Sequence, residues 1–224
     1  WRYNQMNVRL ISHSQTGENL HVGDNIQELI AYSARVSNPS NQNNSETSER
    51  LLAYLIKHRH WSPFEMASAC LEIETTRDIA RQMLRHRSFS FQEFSQRYAD
   101  PTEDLEWHFR DARLQDPKNR QASIEVDDGD LKLQWLQKQA EVANASKESY
   151  SWALENGIAK EQARAVLPEG ITTSRLYMNG TIRSWMHFID IRSGIETQKE
   201  HREIAKACAE AIEPIFPMIT DFVH

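Results

Sequence analysis

The residues best equipped for chemistry lie in one run, Gln82-Met83-Leu84-Arg85-His86-Arg87-Ser88-Phe89-Ser90-Phe91-Gln92-Glu93-Phe94-Ser95-Gln96-Arg97-Tyr98. It gathers guanidinium forks, hydroxyls, amides, one carboxylate and three phenylalanines. Just upstream, Arg77, Arg81 and Arg85 recur at the spacing of one helix face, while Ile79, Ala80, Met83 and Leu84 cover the core side. A row of arginines on a helix is ordinarily a solvated face. Here the row continues past the helix end into the loop of donors and rings. Arginine grips phosphate through two parallel bonds, and flat apolar side chains pack an aromatic ring. Together they suit a phosphorylated, aromatic small molecule.

Other constellations carry less. His58 and His60, with Glu65 nearby, form an H-x-H spacing without further ligands, so no metal is expected. Cys70 alternates with Ser68 and Glu72 and reads as a packed thiol. Cys208 sits in the helical run Ile204-Ala205-Lys206-Ala207-Cys208-Ala209, and neither cysteine adjoins an Arg/His cluster that would lower its pKa. Two cysteines are too few for a disulfide scaffold or a four-thiolate zinc site, which fits a reducing cytoplasm. Trp107 and Trp135 read as core or interface residues. The seven glycines are scattered singly, so neither G-x-G-x-x-G nor a P-loop can be built. Any nucleotide must be held without those two cradles.

Elements that position these residues follow from periodicity. Asn7 to His13 reads as a strand, followed by a polar turn around Gly17. Asp24 or Asn25 caps a helix to about Arg35, with Ile26, Leu29, Ile30 and Ala34 on its apolar stripe. After a polar loop at Asn38 to Ser48, a second helix spans about Glu49 to His58. His60-Trp61-Ser62-Pro63-Phe64-Glu65 is a turn, and Ala67 to Glu74 alternates as a half-buried strand. Thr76 opens a third helix to about Arg87, and Ser88 to Asp116 reads as an irregular active-site loop. A long helix from about Asp127 ends before Gly157, a suitable C′ residue. A short helix from Ala159 stops at Pro168, and Ile171 to Met178 reads as a strand. Asn179 is then expected to cap a helix from Gly180 to Arg192, and a last helix spans about Glu196 to Ile212. The expected fold is α+β, with helices packed against an antiparallel sheet in a single domain over residues 1–224.

Composition sets the outer limits. At 224 residues the chain can bury one sizeable core, and no run of about 18 apolar residues offers a transmembrane helix. The opening Trp1-Arg2-Tyr3-Asn4-Gln5 lacks the features of a secretory signal, and Met6 reads as the natural start after an appended remnant. A net charge of −6 opposes general binding of nucleic acid or of an anionic membrane. The runner-up reading is an arginine-rich module for single-stranded nucleic acid. A third is a scaffold that keeps the fold without activity.

Arg85-His86-Arg87, seven residues, then Ser95, with Glu93 two before it and Arg97 two after, resembles the motif of flavin-dependent thymidylate synthases. Ala34-Arg35-Val36-Ser37 resembles that family's N-terminal region, and His60-Trp61-Ser62-Pro63-Phe64-Glu65 its H-x-[ST]-P-F-E turn. Arg183-Ser184-Trp185-Met186-His187-Phe188, followed by Arg192, resembles its R-S-x-M-[HN]-F helix. The resemblance spans about residues 7 to 215 and is weakest from Asp100 to Gly157.

The resemblance implies conversion of dUMP to dTMP, with methylenetetrahydrofolate as carbon donor and NADPH reducing a bound FAD. It implies FAD contacts from Ser37, Ser62, Arg85, His86, Arg87, Glu93, Thr181, Ile182, Arg183 and His187. It implies that Gln82, Met83, Leu84, Arg85, Glu93, Phe94, Ser95, Gln96, Arg97, Arg164 and Arg192 hold dUMP. Arg192 matches the arginine that polarises the uracil, and no protein cysteine acts as nucleophile. A cytoplasmic homotetramer with sites between subunits is implied as well. Thr181 stands where many members have asparagine, and Gln92 also replaces an asparagine.

Overall fold

Strands and helices begin and end where burial demands it. In the computed structural model, which describes residues 7–18, 20, 22 and 25–224, the strands are β1 (Val8–His13), β2 (Ser68–Thr76), β3 (Ser90–Glu93), β4 (Arg113–Gln115), β5 (Ser123–Glu125) and β6 (Thr173–Thr181). The helices are α1 (Ile26–Ala34), α2 (Ser48–Lys57), α3 (Arg77–Met83), α4 (Gly129–Glu155), α5 (Lys160–Ala163), α6 (Ile182–Arg192) and α7 (Lys199–Ile212). Four strands form a sheet in the order β1-β2-β6-β3, and β4 pairs antiparallel with β5, Leu114 opposite Ile124. The expected α+β architecture of helices with an antiparallel sheet is the one observed.

Several boundaries differ from expectation, each for a local reason. Helix α3 ends at Met83 rather than Arg87, because the chain turns out to form β3, just beyond which Phe94 N–H donates to Arg175 O. The segment 88–116 is therefore not irregular throughout: it contains β3 and β4. Burial alternates in β6 through Ser174, Leu176, Met178 and Gly180, so the strand runs on to Thr181. Asn179 then lies on an exposed strand position, and Thr181 caps α6 by accepting from Ser184 N–H at 3.2 Å. Asn25 caps α1 by accepting from Glu28 N–H at 3.1 Å. The alternative cap Asp24 and the start at Met6 lie outside the described residues. Helix α4 ends as expected, with Gly157 at φ +77°, a backbone that favours glycine.

The described chain divides into two compact units, each made of several segments. The first holds residues 7, 73–85 and 92–176, and the second residues 8–18, 20, 22, 25–72, 86–91 and 177–224. In the first, Trp107, Ala143, Tyr150, Ala153, Ala163, Leu167 and Ile171 form a core beneath α4 and α5. In the second, α1 packs on α2, and α7 packs on α6 and β1, around buried Ile30, Leu52, Phe64, Trp185, Phe188 and Ile204. Within it Arg35, only 7% exposed, donates to Thr47 Oγ1 (3.0 Å) and to Asn44 O, closing the 38–48 loop.

Candidate active site

The first unit carries most of the residues expected to hold a nucleotide. Gln82 and Leu84 are half-buried around the end of α3, and Arg85 is exposed beyond it. Arg77 and Arg81 stand one turn apart on α3, whereas Arg85 lies beyond its end, and the two helical arginines differ in burial and partner. Arg77 is buried and pairs with Glu93 (3.5 Å), whereas Arg81 grips Glu169 Oε1 through Nε (2.9 Å) and Nη2 (2.8 Å). That grip holds the Glu169 carboxyl below its ordinary range. Met83 is wholly buried, so its side chain presents nothing to a ligand and only its backbone could.

Beyond β3 the chain tightens into a turn. Ser95 O accepts from Tyr98 N–H (3.1 Å) and Ala99 N–H (3.2 Å), with Phe94 and Ser95 half-buried. Gln96 is 4% exposed, yet its Nε2 finds no partner. A buried amide donor left unmade costs roughly 1–3 kcal/mol, so such a group points to a missing acceptor. Arg97 lies 3.6 Å from the Glu161 carboxylate, and Arg164 Nε donates to Glu161 O at 3.3 Å. Two guanidinium groups 67 residues apart in sequence thus converge on one residue of α5. No local periodicity could have announced that.

The second unit carries most of the residues expected to hold the flavin. Arg183 in the first turn of α6 pairs with Glu65 of the Ser62–Glu65 turn. Ser62, Arg87 and His187 are exposed, as is Ser37 after α1. Ile182 is sealed in the core and its N–H donates to Ala67 O (2.9 Å), so its side chain reaches no ligand. Thr181 is half-buried, its hydroxyl engaged as the α6 cap.

Arg192 Nε donates to His86 Nε2 at 3.1 Å, which assigns the His86 proton to Nδ1. The His86 ring meets Phe188 edge-on at 5.0 Å and stands 6.5 Å from the His201 ring. His201, which sequence reasoning missed, is fully buried on α7. Burial, with Arg192 and His86 adding to it, drives its imidazole down to about 3. It therefore stays neutral at ordinary pH. Phe89 packs against Trp185 (4.8 Å) and occupies the space that a Cβ at Gly180 would need. Cys208 is fully buried, and burial pushes both its thiol and that of Cys70 up, away from the thiolate a nucleophile needs. Among the described residues no cluster of His, Cys, Asp or Glu could hold a metal, and no helix is long and apolar enough to cross a membrane.

The donor sets suit their expected ligands. Exposed guanidinium, imidazole and hydroxyl groups in the second unit match a pyrophosphate-bearing flavin, and paired arginines with a buried amide in the first match a nucleotide.

Known proteins point the same way. The family described as Thymidylate synthase complementing protein matches residues 19–218. A probable flavin-dependent thymidylate synthase of Paramecium bursaria Chlorella virus 1 is 51% identical over 193 residues, covering 86% of this chain and 88% of that protein. A flavin-dependent thymidylate synthase of Synechocystis is 50% identical over 191 residues, covering 85% and 86%. The crystal structure of PolB, a UMP/dUMP methylase of Streptomyces cacaoi bound with 5-Br dUMP, superposes with a TM-score of 0.81 at 26% identity, covering 97% of this chain and 94% of that one. With a family model matched across residues 19–218 and relatives half identical over most of its length, the chain belongs to the thymidylate synthase complementing protein family.

Proposed function

We propose that this chain is an FAD-dependent thymidylate synthase that methylates dUMP to dTMP, taking its carbon from methylenetetrahydrofolate and its electrons from NADPH. The observation that carries the reading is Gln96, a buried amide without a partner inside the motif loop. A uracil carbonyl or a phosphate oxygen supplies the acceptor it lacks. Arg97 and Arg164 offer guanidinium forks to the 5′-phosphate, and Arg97 exchanges a half-exposed carboxylate for a dianion at little cost. Arg192, its plane fixed by His86, stabilises negative charge developing on the uracil ring. When bound, FAD supplies hydride chemistry, and exposed Arg87, Arg183, His187, Ser62 and Ser37 belong to its binding set. No cysteine is needed as nucleophile.

The assembly that fits this reading is a cytoplasmic homotetramer of single-domain subunits, with active sites between subunits. The net charge of −6 opposes the nucleic-acid alternative, and Arg77 is buried against Glu93 rather than offered to a backbone phosphate. Tritium release from C5-labelled dUMP tests the proposal. Release that needs folate, NADPH and FAD together is expected, and a yellow protein that releases none would refute it. Flavin loss on dilution, followed by size exclusion, tests the assembly: a monomer that keeps its full flavin would exclude shared sites.

A further inference from the structure

Glu93 is the one carboxylate in the motif run, and a carboxylate among groups that hold a phosphate is a liability unless it is fixed. Its environment fixes it. Glu93 Oε1 accepts from Ser174 Oγ at 2.7 Å and lies 3.5 Å from Arg77 Nη1. Ser174 is wholly buried on β6, and Arg77 is 8% exposed at the start of α3. Both supports are themselves anchored. Arg77 N–H donates to Thr172 O (3.0 Å), and Phe94 N–H, next along the chain from Glu93, donates to Arg175 O (2.8 Å). The Glu93 side chain retains 21% exposure.

We infer that Ser174 and Arg77 are positioning residues for nucleotide binding: by occupying Oε1 of Glu93 they aim Oε2 at a donor group of the bound nucleotide. A carboxylate is acceptor-only, so that donor is a hydroxyl or ring N–H and never the phosphate. Arg77 also offsets the Glu93 charge, which would otherwise repel the phosphate from the motif loop. Arginine is required here because a buried cation without a matched partner is strongly disfavoured, and guanidinium is the less hydrated cation.

This inference rests on the proposal that Glu93 belongs to the nucleotide site, so the experiment separates the two. FAD-loaded Glu93→Gln, Ser174→Ala, Arg77→Gln and the double variant Ser174→Ala/Glu93→Gln are titrated with dUMP, and kcat and KM are measured for each. Glu93→Gln is expected to weaken dUMP at least tenfold. Ser174→Ala is expected to raise the dUMP KM three- to tenfold with kcat largely kept, and Arg77→Gln to raise it further. In the Glu93→Gln background, Ser174→Ala should add nothing, since a support has no effect once its cargo is gone. A merely structural serine would add its full effect in both backgrounds and lower kcat and stability together. If Glu93→Gln weakens dUMP but Ser174→Ala and Arg77→Gln leave it unchanged, the positioning role is overturned. If Glu93→Gln leaves dUMP binding intact, the assignment of Glu93 to the nucleotide fails, and the inference with it. Arg77→Lys guards against misfolding of the glutamine variant, and its partial recovery of KM is expected.

Discussion

Gly180→Ala is the smallest substitution with a large expected effect. A Cβ there would lie 2.4 Å from Phe89 Cδ1 and 2.5 Å from Cε1. Non-bonded carbons settle at about 3.5–4.0 Å, so the ring must retreat by about 1 Å. It has little room. Phe89 is 8% exposed, with Trp185 at 4.8 Å, Phe188 at 6.1 Å and His86 at 6.5 Å between ring centroids. Overpacking of this kind costs about 1–3 kcal/mol. For a chain of this size that lowers the melting temperature by roughly 2–12 °C, at about 2–4 °C per kcal/mol. Flavin content should fall as well, because the ring supports the turn carrying His86 and Arg87.

Thermal melts followed by circular dichroism, with flavin absorbance on the same samples, read both effects. Gly129→Ala at the start of α4 is the control, since nothing lies within 4 Å of its added Cβ. That variant should melt at or above the parent temperature. Phe89→Leu combined with Gly180→Ala should cost less than the sum of the single changes, because the shared clash is relieved. A Gly180→Ala protein melting within about 1 °C of the parent and holding its flavin would refute the close-packing argument, since the estimate above allows no smaller shift.

Three further outcomes are expected. Arg192→Lys should keep FAD bound but depress turnover strongly in the tritium-release assay, because a lysine ammonium cannot hold both the His86 bond and a planar fork against a uracil edge; equal turnover would show that charge alone suffices. Cys70→Ala with Cys208→Ala should stay yellow and active, and loss of dTMP formation in a variant that still binds FAD and dUMP would overturn the cysteine-free reading. His201, neutral when folded, takes a proton on unfolding below its ordinary value of 6.5, so its contribution is whole above that pH and is lost as pH falls towards about 3. Melts of His201→Gln should therefore show a shallower acid limb than the parent over that window, and superimposable limbs would place the acid sensitivity elsewhere.

Local signals in the sequence located most elements. Alternation found β2, the Asn25 cap found the start of α1, and Gly157 found the end of α4. What failed were elements whose limits depend on partners distant in sequence. Strand β3 exists because β6 is beside it, and β6 runs to Thr181 because Gly180 leaves room for Phe89. Spacing alone also grouped Arg77, Arg81 and Arg85, although three-dimensional burial gives each a different role. Site residues within contiguous motifs could be read directly, whereas the supports could not. Ser174 lies 81 residues from Glu93, and His201 belongs to a helix that carries no motif.

Burial sorts the arginines more sharply than spacing does. In the Arg77–Glu93 pair the side chains are 10% and 21% exposed, so removing either partner would strand a charge in a poorly hydrated place. In that pair Arg77 stays with Glu93 and is not itself released to a ligand. In the Arg97–Glu161 pair the side chains are 57% and 52% exposed. Water screens such a pair to about 0–1 kcal/mol, so a dianionic phosphate can take the place of Glu161 with little lost. An arginine meant for a ligand has to be held near its working position yet remain cheap to release, and a half-exposed ion pair meets both conditions. On the same criterion Arg35, buried against the 38–48 loop, is structural, while Arg183, half-exposed against Glu65, is available to an anionic ligand. The motif supplies the guanidinium groups, and the depth at which the fold sets each one decides which remain free to serve a substrate.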